Sequence, residues 1–282
     1  MTRDEIIEVL KNGLSQIFKD AVITISVNRK NNNTRALGVV IHYTGSEFNV
    51  SPIIPIDGIV SSIQHHQMTL EEGVYMVADA YEANKAEVHI SIDRDMILNG
   101  LIYAPVNYEM NVDELELIPY RRFLDLAITY RFIIAENGMV AAGSILVTEE
   151  MMKKFDISFD ELEMTAKAHL KEEPVREIDL FKLSGLDPLP DIFPPRVLTY
   201  ERVDFGARTM LNKRYLSRYK TDLYIIPSSV NEIIIFADTI DYSYIKETIH
   251  NSNKTFVDPW DVLSDNLYFY DYRKNCIVIV ED

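Results

Sequence analysis

Apolar residues recur at helical spacing near the start of the chain, and β-branched runs follow them. The first apolar stripe has members three or four positions apart: Ile6, Leu10, Leu14 and Ile17. It follows Thr2-x-x-Glu5, in which a hydroxyl and a carboxylate can satisfy the orphan backbone donors of a helix N-terminus. Residues 21–28, 35–43 and 47–54 are β-branched or alternating, with turn-forming residues between them. The pattern predicts an amphipathic helix and a three-stranded meander.

A second capping pattern, Thr69-x-x-Glu72, predicts another long helix. Its apolar stripe comprises Leu70, Val74, Val77 and Tyr81. Further on, Asp93 predicts the cap of a short helix that leads into the apolar run 101–106. We expect the acidic residues of this region to lie mainly on the solvated side.

The clearest alternation in the chain begins at Leu124. One set of side chains is apolar: Leu124, Leu126, Ile128, Tyr130, Phe132 and Ile134. The other set is polar: Arg121, Asp125, Thr129 and Arg131. Because successive side chains of a strand point to opposite faces, the pattern predicts one strand with one buried face, and the run 139–147 is its expected neighbour.

The rest of the chain mixes helical and strand patterns. Thr148 and Ser158 are expected to start two helices, and residues 174–195, with five prolines and no periodicity, predict an extended loop. The elements expected after this loop are strand 196–200, a basic helix with Leu211, Tyr215 and Tyr219 on one face, two strands around 227–232, a helix at 242–251, and strands 267–272 and 276–280.

These elements predict an α+β fold with mostly antiparallel sheets and helices packed on one side. A length of 282 residues suits one large domain or two ordinary ones. We expect two α+β lobes, residues 1–115 and 116–282, with the proline-rich loop at 174–195 in the second.

Composition limits which cellular compartment and which class of partner are expected. The single cysteine, Cys276, excludes an intramolecular disulfide framework, and neither a leader pattern nor a spanning apolar run occurs, so a reducing cytoplasm and no membrane association are expected. The formal net charge is −16, and residues 61–120 carry 2 basic against 11 acidic residues. A field of this sign repels polyanions, which disfavours direct nucleic-acid binding and is compatible with a basic protein partner.

The polar segment 227–232, between two apolar runs, is the best candidate for a site. Its hydrogen-bonding side chains are Ser228, Ser229, Asn231 and Glu232. They could converge into a polar pocket, although serine and asparagine between strands ordinarily bond to their own turn, and this structural interpretation is the favoured one. Arg121, Asp125 and Arg131 could complete the site by gripping an anion, or could form an ordinary ladder of ion pairs.

Metal and cofactor signatures are missing. None of the six histidines lies in a ligand pattern, and the adjacent pair His65 and His66 would diverge on any regular element. The glycines form neither a P-loop nor a dinucleotide-binding fingerprint. The sequence therefore predicts no metal and no cofactor.

Two charged surfaces are further candidates. The basic surface comprises Arg208, Lys213, Arg214 and Arg218, and could contact an acidic partner or nucleic acid. The acidic surface comprises Glu71, Glu72, Asp79 and Glu82, and could imitate the charge of a nucleic acid on a basic groove of another protein. For both surfaces the alternative is a merely solvated helix face.

Four segments carry a resemblance to known sequences. They are PYRRFLDLAITYRF (119–132), SILVTEEMMKKFDISFDELEMTA (144–166), LYIIPSSVNEIIIFAD (223–238) and VLSDNLYFYD (262–271). In this order they resemble a domain-of-unknown-function family of gut-dwelling Gram-positive anaerobes, often carried on conjugative elements, and more remotely a second bacterial family of unknown function. The resemblance implies a bacterial cytoplasmic protein that serves a mobile element, and it supplies no catalytic residues.

Two hypotheses of function follow. The favoured one is a non-catalytic interaction module whose acidic surface inhibits a nucleic-acid-binding host enzyme, because every signature of nucleophile, metal or phosphate chemistry is missing. The alternative is a hydrolase or transferase acting on a small anionic substrate, with Ser228 or Ser229, Glu232 and an arginine of the 121–131 strand. The alternative requires these groups to converge in space.

Overall fold

A computed structural model describes residues 1–44, 51–85, 91–134, 143–183, 185, 193–200, 205–237 and 242–281. The chain forms two compact units, Met1–Ser91 and Ile92–Asp282. All strand pairings within the described ranges are antiparallel, and helices accompany every sheet, which confirms the α+β class.

The first unit, Met1–Ser91, contains three helices and one sheet in its described part. In chain order its elements are α1 (Arg3–Ile17), β1 (Ala21–Arg29), β2 (Arg35–Tyr43), β3 (Ile53–Pro55), α2 (Asp57–Gln64) and α3 (Leu70–Asn84). The sheet order is β1-β2-β3, so the predicted meander is confirmed. Of the expected third strand 47–54, residues 47–50 lie outside the described residues.

Apolar packing joins the helices of the first unit. Both capping boxes form, at Thr2 with Glu5 and at Thr69 with Glu72, as the spacing predicts. α1 and α3 run in the same direction, because Phe18 packs edge-on against Tyr81 at the C-terminal ends of the two helices, with 5.2 Å between ring centroids.

A glycine sets how closely the helices of the first unit approach. A Cβ atom on Gly73 would lie 2.9 to 3.2 Å from side-chain atoms of Ile63, Ile59 and Leu10. A larger residue would therefore require these side chains to shift.

The second unit, Ile92–Asp282, contains two sheets in its described residues. The elements of its first half are α4 (Arg94–Asn99), β4 (Leu101–Asn107), α5 (Val112–Leu115), β5 (Tyr120–Phe123), β6 (Leu126–Ile134), β7 (Gly143–Leu146), α6 (Glu149–Phe155) and α7 (Phe159–Glu172). β6 is central: it pairs with β4 on one edge and with β5 and β7 on the other. The division expected at residue 115 falls between the paired strands β4 and β6, inside this unit.

The second half of this unit forms a six-stranded sheet. Its elements are β8 (Val175–Asp179), α8 (Leu180–Leu183), β9 (Arg196–Tyr200), α9 (Lys213–Leu216), β10 (Leu223–Ile226), β11 (Ile233–Phe236), α10 (Tyr242–Phe256), β12 (Tyr268–Asp271) and β13 (Cys276–Ile279). The strand order is β13-β12-β10-β11-β9-β8. One face shares a core with the other sheet and α7, and α10 packs on the opposite face through Ile245 and Ile249.

Three sequence predictions are wrong in detail. Residues 175–183 form β8 and α8 instead of an extended loop, because β8 pairs with β9 and completes the sheet. The strand expected through 121–134 is a hairpin, β5 and β6, and the first five residues of β6 are buried on both faces because the strand is central. The expected basic helix is a short α9 between two stretches of 3₁₀ helix, Gly206–Leu211 and Ser217–Tyr219.

Candidate functional site

The polar segment 227–232 connects β10 to β11, and its first half runs beside residues 261–264. The backbone N–H of Leu263 donates to the carbonyl of Ser228 at 3.0 Å, and Ser229 forms a β-bridge within the same pairing. The segment is therefore an extended connection held by main-chain hydrogen bonds.

Ser229 and Asn231 bond to their surroundings within the protein. Ser229 is 6% exposed, and its Oγ accepts the backbone N–H of Asn231 at 3.0 Å. The side-chain carbonyl of Asn231 accepts the N–H of Phe205 at 3.3 Å, and its main-chain carbonyl accepts the Thr199 hydroxyl at 2.8 Å. These contacts fix the connection against neighbouring elements, which is the structural role that serine and asparagine take in turns.

Glu232, at the end of the segment, has a perturbed acidity. Burial raises the pKa of Glu232 above its ordinary value, a hydrogen bond with Ser229 lowers it in part, and the negative charge of Asp261 raises it again. The carboxyl group therefore keeps its proton to a higher pH than an exposed glutamate. Proton transfer is the chemistry this group could perform.

Asp125 lies in the two-residue turn between β5 and β6, where Leu124 takes a left-handed conformation with φ of 57°. Its carboxylate accepts hydrogen bonds from Ser264 at 2.6 Å, from Asn266 at 2.9 Å and from the hydroxyl of Tyr268. Burial, followed by the charge of Asp125, raises the pKa of Tyr268. Asp125 thus connects the β5–β6 hairpin to residues 264–268, at the start of β12 and just before it.

The two arginines of the predicted anion site reach different neighbours. Arg121 Nε lies 3.1 Å from Glu163 Oε1. Arg131 donates to the hydroxyl of Ser144 at 2.9 Å, and its guanidinium lies 5.2 Å from the ring centroid of Phe205. Because Arg121 lies on β5, Asp125 in the turn and Arg131 on β6, the three side chains do not form the expected row.

The polar segment and one arginine of the predicted anion site both reach Phe205. Its ring lies beside Arg131, and its backbone N–H donates to Asn231. The structure therefore brings Arg131 and Asn231 to the same residue, while Arg121 belongs with Glu163 on another part of the unit.

The predicted acidic surface lies on the outer face of α3. All four carboxylates are exposed: Glu71, Glu72, Asp79 and Glu82. Between them, Tyr75 is 55% exposed and Met76 is 49% exposed. We call these six residues the acidic face. It combines negative charge with two large side chains that α3 leaves in solvent.

Two carboxylates of the acidic face have local partners. Glu72 Oε2 accepts from the backbone N–H and the hydroxyl of Thr69, both at 2.8 Å, and these bonds lower the pKa of Glu72. Glu82 lies 2.6 Å from Lys85, an exposed pair of the kind that contributes little to stability. Glu72 therefore stays ionised to a lower pH than a glutamate without these hydrogen bonds.

One residue of the predicted basic surface is buried. Arg208 is 1% exposed, with its guanidinium 2.6 Å from Glu173 and 4.2 Å from the ring centroid of Tyr200, because the 3₁₀ turn that carries it is buried against β9. Arg214 and Arg218 are exposed, and Lys213 is half-buried. The expectation that Arg208 lies on the surface is wrong.

Membrane and metal features are missing from the described part. No helix there is both long and apolar enough to cross a lipid bilayer. Within the same ranges, no three histidine, cysteine, aspartate or glutamate side chains come together as a metal ion would require.

The comparison with protein families identifies the family to which the chain belongs. A family described as a family of unknown function, DUF5688, matches residues 3–186 and 188–272. The chain belongs to the DUF5688 family. No curated protein matches it, and no solved structure matches it either. This match confirms the predicted resemblance to a domain-of-unknown-function family.

In this DUF5688 protein, sequence patterns missed a set of carboxylates bound by tyrosines. Glu163 accepts from the hydroxyl of Tyr130 at 2.5 Å. Glu177 accepts from Tyr215 at 2.9 Å and from Tyr219 at 2.8 Å. The partners are at least 33 positions apart in the chain, so no local spacing could reveal them. The only hint in the sequence is a total of 16 tyrosines.

Proposed function

We propose that this DUF5688 protein is a protein-interaction module without catalysis of its own, and that the acidic face of α3 binds a basic surface of another protein. The observation that carries the proposal is the exposure of Tyr75 and Met76 among four exposed carboxylates. Interfaces are enriched in tyrosine and methionine, and complementary charge speeds their association.

The spacing of the charges supports a more specific form of the proposal. At roughly 1.5 Å per residue, the eleven steps from Glu71 to Glu82 span about 16 Å. The three intervals between the four carboxylates therefore average about 5.5 Å along the helix axis. A nucleic-acid strand carries one phosphate per ~3.4 Å, so the acidic face presents a row of negative charges that is less dense than a strand but of the same order.

We therefore propose that the partner is a nucleic-acid-binding enzyme of the host and that the protein inhibits it by occupying its basic groove. The resemblance described above gives the setting: the cytoplasm of gut-dwelling Gram-positive anaerobes, and an accessory role for a mobile element. The net charge of −16 agrees with a partner of opposite sign.

The test is retention of a partner from a native bacterial lysate, followed by inhibition of that partner. The variant carries Glu71→Lys, Asp79→Lys and Glu82→Lys with Glu72→Gln, since glutamine can keep the capping box. We expect the wild-type protein to retain a partner that high salt releases, and the variant to lose both retention and inhibition.

A matched control changes the same number of charges elsewhere. It carries Glu150→Lys, Asp160→Lys and Glu172→Lys on α6 and α7, with Glu5→Gln in the other capping box; all four residues are exposed. This control should behave like the wild type. Equal losses in both variants, or retention that does not depend on salt, would contradict the proposal.

A further inference from the structure

A groove opens in the first unit at the N-terminal ends of α1 and α3, next to the end of α2. Its volume is about 360 Å³. The lining residues on which the inference depends are Ile6, Ile63, Met68, Leu70, Thr69 and Glu72. Because Glu72 also belongs to the acidic face, the groove adjoins that face.

Half of the groove's lining is apolar, and four of these apolar residues belong to the core of the unit or pack against it. The other lining residues are polar: Gln64, His66, Gln67, Thr69 and Glu72. Ile6 and Ile63 are buried in the core of the unit. Met68 and Leu70 are half-buried and pack against the same core. A side chain that enters the groove therefore exchanges water for apolar contacts, which favours an aliphatic or aromatic group.

Glu72 places one oriented carboxylate at the rim. Its Oε2 is held by Thr69 through two hydrogen bonds of 2.8 Å, while its Oε1 receives no hydrogen bond from the described residues. The nearest basic residue of α1, Arg3, is engaged with Asp57 at 2.7 Å. The rim therefore offers an acceptor that suits a cation, with its orientation already fixed.

We propose that the groove binds an anchoring segment of the basic partner, in which a bulky apolar side chain lies next to a lysine or arginine. The apolar side chain enters between Ile63, Met68 and Leu70, and the neighbouring cation pairs with Glu72 Oε1. This inference rests on the proposed function, because the acidic face supplies the attraction and the groove adds selectivity.

The experiment uses the full chain and two labelled peptides. The first peptide is Lys-Lys-Leu-Leu-Lys-Lys, and the second has serines in place of the leucines. Fluorescence anisotropy measures the Kd of each. We expect the leucine peptide to bind about tenfold more tightly, as burial of one apolar side chain allows.

Two substitutions test which groove residues provide the gain in affinity for the leucine peptide. Met68→Ser removes apolar wall from the groove and should bring the leucine peptide close to the serine peptide. Glu72→Gln keeps the capping box but removes the charge, and should weaken the leucine peptide several-fold. Glu5→Gln is its matched control, since Glu5 has the same capping role in α1 and does not line the groove.

The outcomes separate this inference from the proposed function. If both peptides bind with equal, salt-dependent affinity and Met68→Ser has no effect, the groove proposal fails and the acidic face stands. If neither peptide binds, or if binding ignores Asp79→Lys and Glu82→Lys, the proposed function fails. Intact thermal unfolding of each variant shows that the chain has folded.

Discussion

The two units of the protein are stabilised in different ways. In Met1–Ser91 the described core consists of aliphatic side chains, with Phe18 and Tyr81 at one end. Every buried polar or charged residue of the described chain lies in Ile92–Asp282: Asn111, Thr129, Arg208, Thr209, Asn212, Ser229, Asn253 and Ser264. Buried polar contacts between distant segments are therefore a feature of the second unit, whereas the described core of the first unit is apolar.

The experiment with the largest expected effect separates the two units. We propose that residues 1–91 fold alone, because their core is complete within that range and a chain of this length can bury one. Cooperative urea unfolding with a free energy of about 5 kcal/mol or more is expected. A fragment that unfolds without a transition would show that its stability depends on the rest of the chain.

The next test breaks a buried ion pair of the second unit. Glu173→Ala removes the carboxylate 2.6 Å from the guanidinium of Arg208, which is 1% exposed. The expected loss in the free energy of unfolding is about 3 kcal/mol, since a charge is left buried without this partner. The pair Glu173→Gln with Arg208→Met should cost less. A loss below about 1 kcal/mol for Glu173→Ala would contradict the role given to the pair.

The same contrast explains what the sequence could predict. Both capping boxes, the meander and the helices after Thr148 and Ser158 follow patterns within a few residues, and all of them form. The acidic face could be predicted as well, because helical spacing fixes which residues of α3 share a side.

The polar contacts of the second unit could not be predicted in this way. Asp125 meets Ser264 and Tyr268, which are 139 and 143 positions away, so its partners depend on how the sheets assemble. The sequence did not predict β8, because its strand pattern is short and lies in a proline-rich stretch. The groove depends on how α1, α2 and α3 pack, which periodicity alone does not give.

Asp125 offers a test of intermediate size. Asp125→Ala leaves the hydroxyls of Ser264 and Tyr268 without their acceptor, and should cost about 2 kcal/mol in urea unfolding. Adding Tyr268→Phe should cost less in this background than in the wild type, because the hydroxyl has already lost its partner. Additive losses would show that the two side chains act independently.

In the first unit the corresponding test concerns a local cap. Thr69→Ala removes the hydroxyl that accepts the backbone N–H of Glu72 at 3.2 Å, and should cost about 1 kcal/mol. Thr69→Ser keeps the hydroxyl and should be nearly neutral. A loss as large as that of Glu173→Ala would erase the contrast between local and long-range stabilisation.

The smallest expected effect concerns the acidity of Glu232. Because its pKa in the folded protein is raised above the ordinary value, the folded state holds this proton more tightly than the unfolded state does. Its contribution to stability is therefore greatest at low pH and falls as pH rises from the ordinary value through the raised one. Glu232→Gln removes this dependence.

The variant should match the wild type in urea unfolding at about pH 3.5 and exceed its stability at pH 7 by no more than about 1 kcal/mol, as is typical of one polar group. Glu150→Gln, at an exposed position of α6, should show no comparable gain. If Glu232→Gln instead lost stability at pH 7, the carboxylate would be an ionised partner in the fold. Its carboxylate would then resemble that of Asp125, which accepts three hydrogen bonds.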